Sequence, residues 1–277
     1  MYRLSGGGND FLALAEPAAP PSRADIRAWC RRGVSLGADG LFTLERNGAD
    51  RVRMTYWNGD GSDADLCLNG TRCAARLVHH LGWSTGEVVV ETGAGPFRTR
   101  IVDDQNVAIE LPAPTETPVV RIPSWQGEGF PGRFVVTGVP HFLRPVAGDL
   151  GAAPVTLEGP ILRRHPDFGI PGTNVDWVRT VSPHQLEIRT FERGVEGETL
   201  ACGSGVMAAT LAGIAAGELV FPVEVLTAGG FRFRLDGTVG PSGLPVAWSL
   251  TGDARLVAVV TPEPGALAVP SPARWTP

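Results

Sequence analysis

The sequence predicts an α+β fold of two similar halves, each built from short strands and one principal helix. Three observations carry that expectation. Short runs rich in β-branched and alternating residues recur along the chain, and 36 Gly and 24 Pro in 277 residues supply the turns between them. Each half holds one clear helical segment, Thr71 to Leu81 and Val206 to Ala216. Both segments are introduced by nearly the same tetrapeptide, Cys67-Leu68-Asn69-Gly70 and Cys202-Gly203-Ser204-Gly205. These lie 202 − 67 = 135 residues apart, close to half the chain, which marks an internal duplication and suggests two domains facing across a cleft.

Taken in order, strands are expected at Gly40 to Glu45 and Val52 to Trp57, separated by the turn-prone Arg46-Asn47-Gly48-Ala49-Asp50. The first helix places Cys73, Ala74, Leu77, Val78 and Leu81 at helical spacing and stops at Gly82. Strands follow at Glu87 to Glu91, Phe97 to Val102 and Val107 to Leu111. The Pro-rich stretch Leu111 to Pro118 cannot continue a central strand, so the domain boundary is expected near Pro114. That gives an N-terminal domain of residues 1–114, with about 257–277 as a segment able to return to it, and a C-terminal domain of 115–256. The second half offers strands at Phe134 to Thr137, Val175 to Val178, Gln185 to Phe191 and Val223 to Leu226. Its helix is apolar almost all round, so it should be buried, and Gly217 ends it. The Pro- and Ala-rich end, Pro262 to Pro277, reads as a loose tail.

Composition bounds the function. All 24 residues counted as Lys plus Arg are arginine, which excludes chemistry built on a lysine amine, such as a pyridoxal phosphate aldimine or a P-loop lysine. A formal charge of −5 argues against nucleic-acid or anionic-membrane partners, which need a basic excess, and favours a small-molecule substrate. No apolar leader or stretch of about 18 apolar residues is present, so a cytoplasmic protein with free thiols is expected.

A helix N-terminus leaves backbone N–H groups unpaired and carries partial positive charge, so it binds anions and favours a thiolate. Two Cys-bearing helix entries converging on one cleft would cradle a carboxylate between two activated thiols. Such a site can take a proton from one face of a carbon and return one to the other. Cys30 and Cys73 read as core residues. A zinc site from Cys67, Cys73, His79 and His80 fits poorly, because six residues along a helix turn through about 600°. A Cys67–Cys202 disulfide remains open as an oxidised, inactive form.

The ordered blocks Gly6-Gly7-Gly8-Asn9-Asp10-Phe11, Leu36 to Gly40, Asn58 to Ser62, Cys67 to Cys73, Pro140-His141, Gly172 to Val175 and Glu192 to Gly205 resemble the motifs of the diaminopimelate epimerase family. Val246 to Gly252 looks like that family's closing strand. The resemblance implies two domains, each a β-barrel-like sheet around a central helix, with the active site in the cleft between them. It implies inversion of one α-carbon of LL-diaminopimelate to the meso form, without cofactor or metal, by a homodimer feeding lysine and peptidoglycan synthesis. By motif match, Cys67 and Cys202 are the catalytic pair, and Glu192 and His141 assist near the thiols. Substrate contacts are expected from Asn9, Asn58, Asn174, Glu192 and Arg193, with the Leu68, Asn69, Gly203 and Ser204 amides holding the reacting carboxylate. Arg193 suits the distal carboxylate, because a guanidinium fork matches its geometry.

The chain departs from the pattern at Leu68, where Gly is common, at Val139, where many members carry Asn, and at Gly40, where some carry a polar side chain. Two alternatives stand beside the leading reading: a cofactor-independent racemase or epimerase of another amino acid, and a non-catalytic amino-acid-binding protein. Retention of both thiols speaks against the latter, since binding alone requires neither.

Overall fold

The computed structural model describes residues 1–268. The chain forms two compact units, Met1–Val107 with the segment from Ala254 onward, and Ala108–Asp253. The division falls inside a strand, short of the Pro-rich stretch around Pro114.

In the first unit, β1 (Tyr2–Gly6) and β2 (Asn9–Ala15) form an antiparallel hairpin, and the turn is glycine at both positions because Gly7 and Gly8 have φ +55° and +83°. β2 runs parallel to β3 (Gly40–Arg46) through the crossover helix α1 (Arg23–Cys30). β3 pairs antiparallel with β4 (Arg51–Asn58). β4 then runs parallel to β5 (Val88–Thr92) through the second crossover helix, α2 (Leu68–His80), and β5 closes a hairpin with β6 (Gly95–Ile101). The strand Arg255–Val259 comes back to pair with β1. Amphipathic α2 buries Cys73, Ala74, Leu77 and Val78 against Leu4, Phe11, Phe42, Val88 and Val90.

The second unit takes up β7 (Asn106–Leu111) across the division and adds the short β8 (Val119–Arg121) and a small hairpin of β9 (Ser124–Trp125) and β10 (Glu128–Gly129). β11 (Gly132–Thr137) and β12 (Val139–Pro145) then form a hairpin turning at Gly138, φ +80°. β12 runs parallel to β13 (Asn174–Ser182) through α3 (Val155–Arg163), and β13 pairs antiparallel with β14 (Gln185–Glu192). β15 (Gly197–Thr199) leads into α4 (Gly203–Ala215), the crossover to β16 (Val223–Thr227), which lies parallel to β14. β17 (Arg232–Val239) and β18 (Pro245–Asp253) follow antiparallel, and β18 also pairs with β7. From the first hairpin onward both units therefore pass through the same series: antiparallel, parallel, antiparallel, parallel, antiparallel, with a helix at each parallel crossover. α4 is buried along its length from Val206 to Ile214, as its all-apolar sequence requires.

Two details depart from the sequence expectation. Among the described residues each unit holds a second crossover helix beside the expected one, α1 in the first and α3 in the second. α1 was legible in the capping box Ser22/Asp25, in which each side chain answers the other's backbone N–H. α3 was masked by Gly159 and Pro160; Gly159 is required there because a Cβ would sit 2.5 Å from the Phe191 ring. The expected loose tail begins too early, since the helical turn Pro264–Leu267 is tied down by Trp29 Nε1 to the Leu267 carbonyl (3.3 Å) and Ser35 Oγ to the Ala266 carbonyl (2.5 Å). The remainder of that tail, 269–277, lies outside the described residues.

Candidate active site

Cys67 and Cys202 occupy the same place in the two units. Each is the N-cap of a 13-residue helix with extended backbone, φ −140° and ψ 101° for Cys67, φ −125° and ψ 111° for Cys202. The helices thus begin at Leu68 and Gly203, several residues before the apolar periodicity starts, because Gly-containing first turns carry little hydrophobic signal. All four cysteines are free thiols.

In the first unit the Gly70 N–H donates to Cys67 Sγ at 3.4 Å, so one orphan amide of the helix end already points at the sulfur. Leu68 is buried, which leaves its side chain in the protein and its amide in the first turn. Asn69 is also buried, donating to Asn9 Oδ1 at 2.8 Å and accepting from Arg72 at 2.5 Å. Asn9 in turn donates to Asp39 (3.1 Å), and Asp39 and Asp10 share Arg32. Burial works against ionisation of Asp10, but the Arg32 and Arg3 guanidiniums outweigh it and hold the carboxyl below its usual value. The result is a polar frame fixing Asn9 and Asn69 beside the helix entry. Asn58 closes β4, donating to Ser62 Oγ at 3.0 Å and accepting from the Tyr56 hydroxyl at 3.4 Å.

The second unit surrounds its cysteine with titratable groups. Cys202 is 7% exposed, and its thiol lies 3.3 Å from Ser204 Oγ. Ser204 Oγ lies 2.9 Å from Nε2 of His141, whose Nδ1 lies 2.7 Å from Asp176. Burial, followed by the Glu192 and Asp176 carboxylates, pushes the Cys202 thiol well above its usual value, and the Ser204 hydroxyl and Gly205 amide only partly oppose this. Glu192 is held by the Thr199 hydroxyl at 2.9 Å. Asn174 donates to the Pro140 carbonyl (3.0 Å) and accepts from the Arg193 N–H (2.8 Å), so it fixes the chain that presents Arg193. The Arg193 guanidinium has no carboxylate partner among the described residues.

The expected site residues accordingly divide by unit: Asn9, Asn58, Leu68 and Asn69 share the first with Cys67, and His141, Asn174, Glu192, Arg193, Gly203 and Ser204 share the second with Cys202. Sequence reading missed Tyr56, Arg72, Asp176 and Thr190. Asp176 did leave a signal, since an acidic residue in the strand Val175-Asp176-Trp177-Val178 breaks an otherwise apolar buried run. Of the four zinc candidates, Cys73 is fully buried in the core, His79 contacts the Gly86 carbonyl and His80 packs on Tyr2.

Comparison with known proteins gives the arrangement a lineage. The sequence model of the diaminopimelate epimerase family matches residues 1–115 and 133–236. The chain belongs to the diaminopimelate epimerase family. Among its relatives are the diaminopimelate epimerases of Aquifex aeolicus, 34% identical with 85% of this chain and 89% of the relative covered, and of Hydrogenobaculum sp., 36% identical with 85% and 90% covered. The fold is shared with a crystal structure of a probable proline racemase from Agrobacterium radiobacter, at a TM-score of 0.67 and 15% identity, covering 96% of this chain and 94% of that one. One departure from the family pattern now has a physical reason. A Cβ at Gly40 would lie 2.6 Å from the Tyr56 ring and hydroxyl, so Tyr56 fills the space a polar side chain would use and brings its own hydroxyl to Asn58. Val139, the first residue of β12, pairs with Thr137 across the hairpin and offers no polar group of its own.

Proposed function

We propose that this chain inverts one α-carbon of LL-2,6-diaminopimelate to give the meso form, with Cys67 and Cys202 as a thiolate/thiol pair. The observation that carries the reading is the repeated placement of a cysteine as N-cap of the principal helix in both units, inside a family whose curated members are diaminopimelate epimerases. The α-proton of an amino acid is a poor acid, and here no electron-sink cofactor is invoked. The amides of each first turn would instead stabilise charge developing on the reacting carboxylate. One thiolate removes the proton from one face, and the opposite thiol supplies a proton to the other. Arg193, presented by Asn174, would take the distal carboxylate, and Asn9 and Asn58 the distal amino-acid centre. The enzyme would work in the cytoplasm as a homodimer.

A second reading, a cofactor-independent epimerase of another amino acid, is favoured at one point: Val139 and Gly40 remove polar groups that the family pattern often supplies. Solvent deuterium uptake into LL-diaminopimelate, proline, histidine and glutamate decides between them. Uptake into diaminopimelate alone supports the leading reading, uptake into another of the four supports the second, and uptake into none indicates a binding protein.

A further inference from the structure

The two units match in strand register. In the first, β2 and β3 enter their parallel pairing at Phe11 and Gly40, and Phe42 lies opposite Tyr56 on β4. In the second, β12 and β13 enter at His141 and Asn174, and Asp176 lies opposite Thr190 on β14. Under α2 the trio Phe11, Phe42 and Tyr56 forms an aromatic cluster with ring centroids about 6 Å apart. Under α4 the corresponding trio is His141, Asp176 and Thr190, all at or below 3% exposure. Aromatic packing is the less costly way to support a helix, because a buried carboxylate and imidazole must each be fully satisfied.

The polar trio is satisfied in one direction. Asp176 accepts from Thr190 Oγ1 at 2.7 Å and lies 2.7 Å from His141 Nδ1. An ionised carboxylate only accepts, so Nδ1 carries the hydrogen and Nε2 presents a lone pair. The Asn174 amide gives the same assignment independently. Its oxygen accepts from Arg193 N–H and its nitrogen donates to the Pro140 carbonyl, so an N–H rather than an oxygen faces Nε2, at 3.5 Å. Nε2 therefore accepts from the Ser204 hydroxyl, and Ser204 Oγ is free to accept from the Cys202 thiol. α4 is fitted closely to this arrangement: a Cβ at Gly205 would lie 2.7 Å from Asp176 Oδ1.

We propose that Asp176 is a positioning residue that makes His141 the proton acceptor of Cys202, with the Ser204 hydroxyl as the relay between them. The Cys202 S–H bond breaks as its proton moves to Ser204 Oγ, and the former Ser204 proton moves to His141 Nε2. A thiolate and an imidazolium result, the hydroxyl turns to donate to the thiolate, and the Asp176 carboxylate stays ionised beside Nδ1–H. No other reactant is needed. The inference deepens the two-thiol reading above by naming the device that lets a buried thiol serve as a base. Among the described residues, the titratable groups facing this thiol are His141 on β12, Asp176 on β13 and Glu192 on β14.

The test reads Cys202 itself, in the full-length Cys67→Ala chain, by the pH dependence of iodoacetamide alkylation with peptide mass spectrometry. Solvent deuterium uptake into the substrate by enzyme with both thiols is read over the same pH range. The relay predicts that both profiles carry a step, separate from the raised thiol's own titration, that depends on Ser204 and Asp176. Asp176→Asn offers an amide N–H to Nδ1, turns Nε2 into a donor and should slow both reactions on the order of 100-fold at the pH of the step. Ser204→Ala should lose the step and Ser204→Thr, which keeps the hydroxyl, should restore it. A merely electrostatic role gives the opposite sign, because deleting a nearby carboxylate eases thiolate formation. Asp176→Asn reacting at the parent rate or faster, or Ser204→Ala keeping the step, would overturn the relay. If alkylation follows the expected pattern while no deuterium enters diaminopimelate, the relay stands and the substrate reading falls.

Discussion

The two units place a cysteine at the same helix end over floors of opposite character. Cys67 stands over an aromatic cluster and beside an amide and guanidinium frame of Asn69, Asn9 and Arg72. Cys202 stands over a buried histidine and aspartate, with its thiol pushed up by burial and by the carboxylates of Glu192 and Asp176. A duplicated scaffold can thus keep its backbone and its thiol while varying the residues around it. Only the second thiol has a histidine and carboxylates packed behind it. The repeat sets where a thiol goes, and the residues one layer below set what it can do.

The largest effects should come where the units are alike. Cys67→Ala and Cys202→Ala, made separately, should each lower the epimerisation rate on the order of 10⁴-fold in a steady-state assay. A variant of either thiol near the parent rate would break the equivalence. Next come the two floors. Phe11→Ala should cost about 3–5 kcal/mol in denaturant unfolding with kcat of the folded enzyme largely kept, whereas His141→Gln should depress kcat more than stability. Equal loss of kcat in both would erase the distinction.

The third helix residue sharpens the contrast on a smaller scale. Gly205→Ala drives a Cβ to 2.7 Å from the buried Asp176 carboxylate, but Gly70→Ala meets only the end of the flexible Met54 side chain at 3.1 Å. The first should cost about 1–3 kcal/mol by thermal or chemical unfolding and the second clearly less.

The smallest expected effect is on alkaline stability. Burial, reinforced by Asp10 and Asp39, raises the Cys30 thiol to about 12, and Cys202 is raised as well. A folded-state value above the unfolded one means that stability is unaffected below the unfolded thiol value, about 8.5, and falls as pH rises past it. Cys30→Ala should flatten that fall in urea melts taken at increasing pH.

Much of this was legible in the sequence for identifiable reasons. The strand Arg51–Asn58 alternates over its first five residues, with Val52 and Met54 in the core under α2 and Arg51, Arg53 and Thr55 exposed, before Trp57 joins the second cluster with Leu12 and Ile26. The cysteine pair was legible because glycines after each thiol mark a helix entry open to a ligand. β1 and β2 were not, since Gly6-Gly7-Gly8 hides the hairpin and the strands are short. The second-unit floor was the hardest part to read. His141 and Asp176 are 35 residues apart and meet only because β12 and β13 are parallel neighbours joined through α3, a pairing that no local pattern declares.

The central claim, that two separate thiols each serve one face of the same carbon, is tested most directly by epimerising LL-diaminopimelate in deuterium oxide and stopping early. Two acid/base groups predict deuterium at the inverted carbon of the meso product and almost none in the remaining LL substrate. Equal labelling of product and recovered substrate would show a single group acting on both faces and would contradict the account.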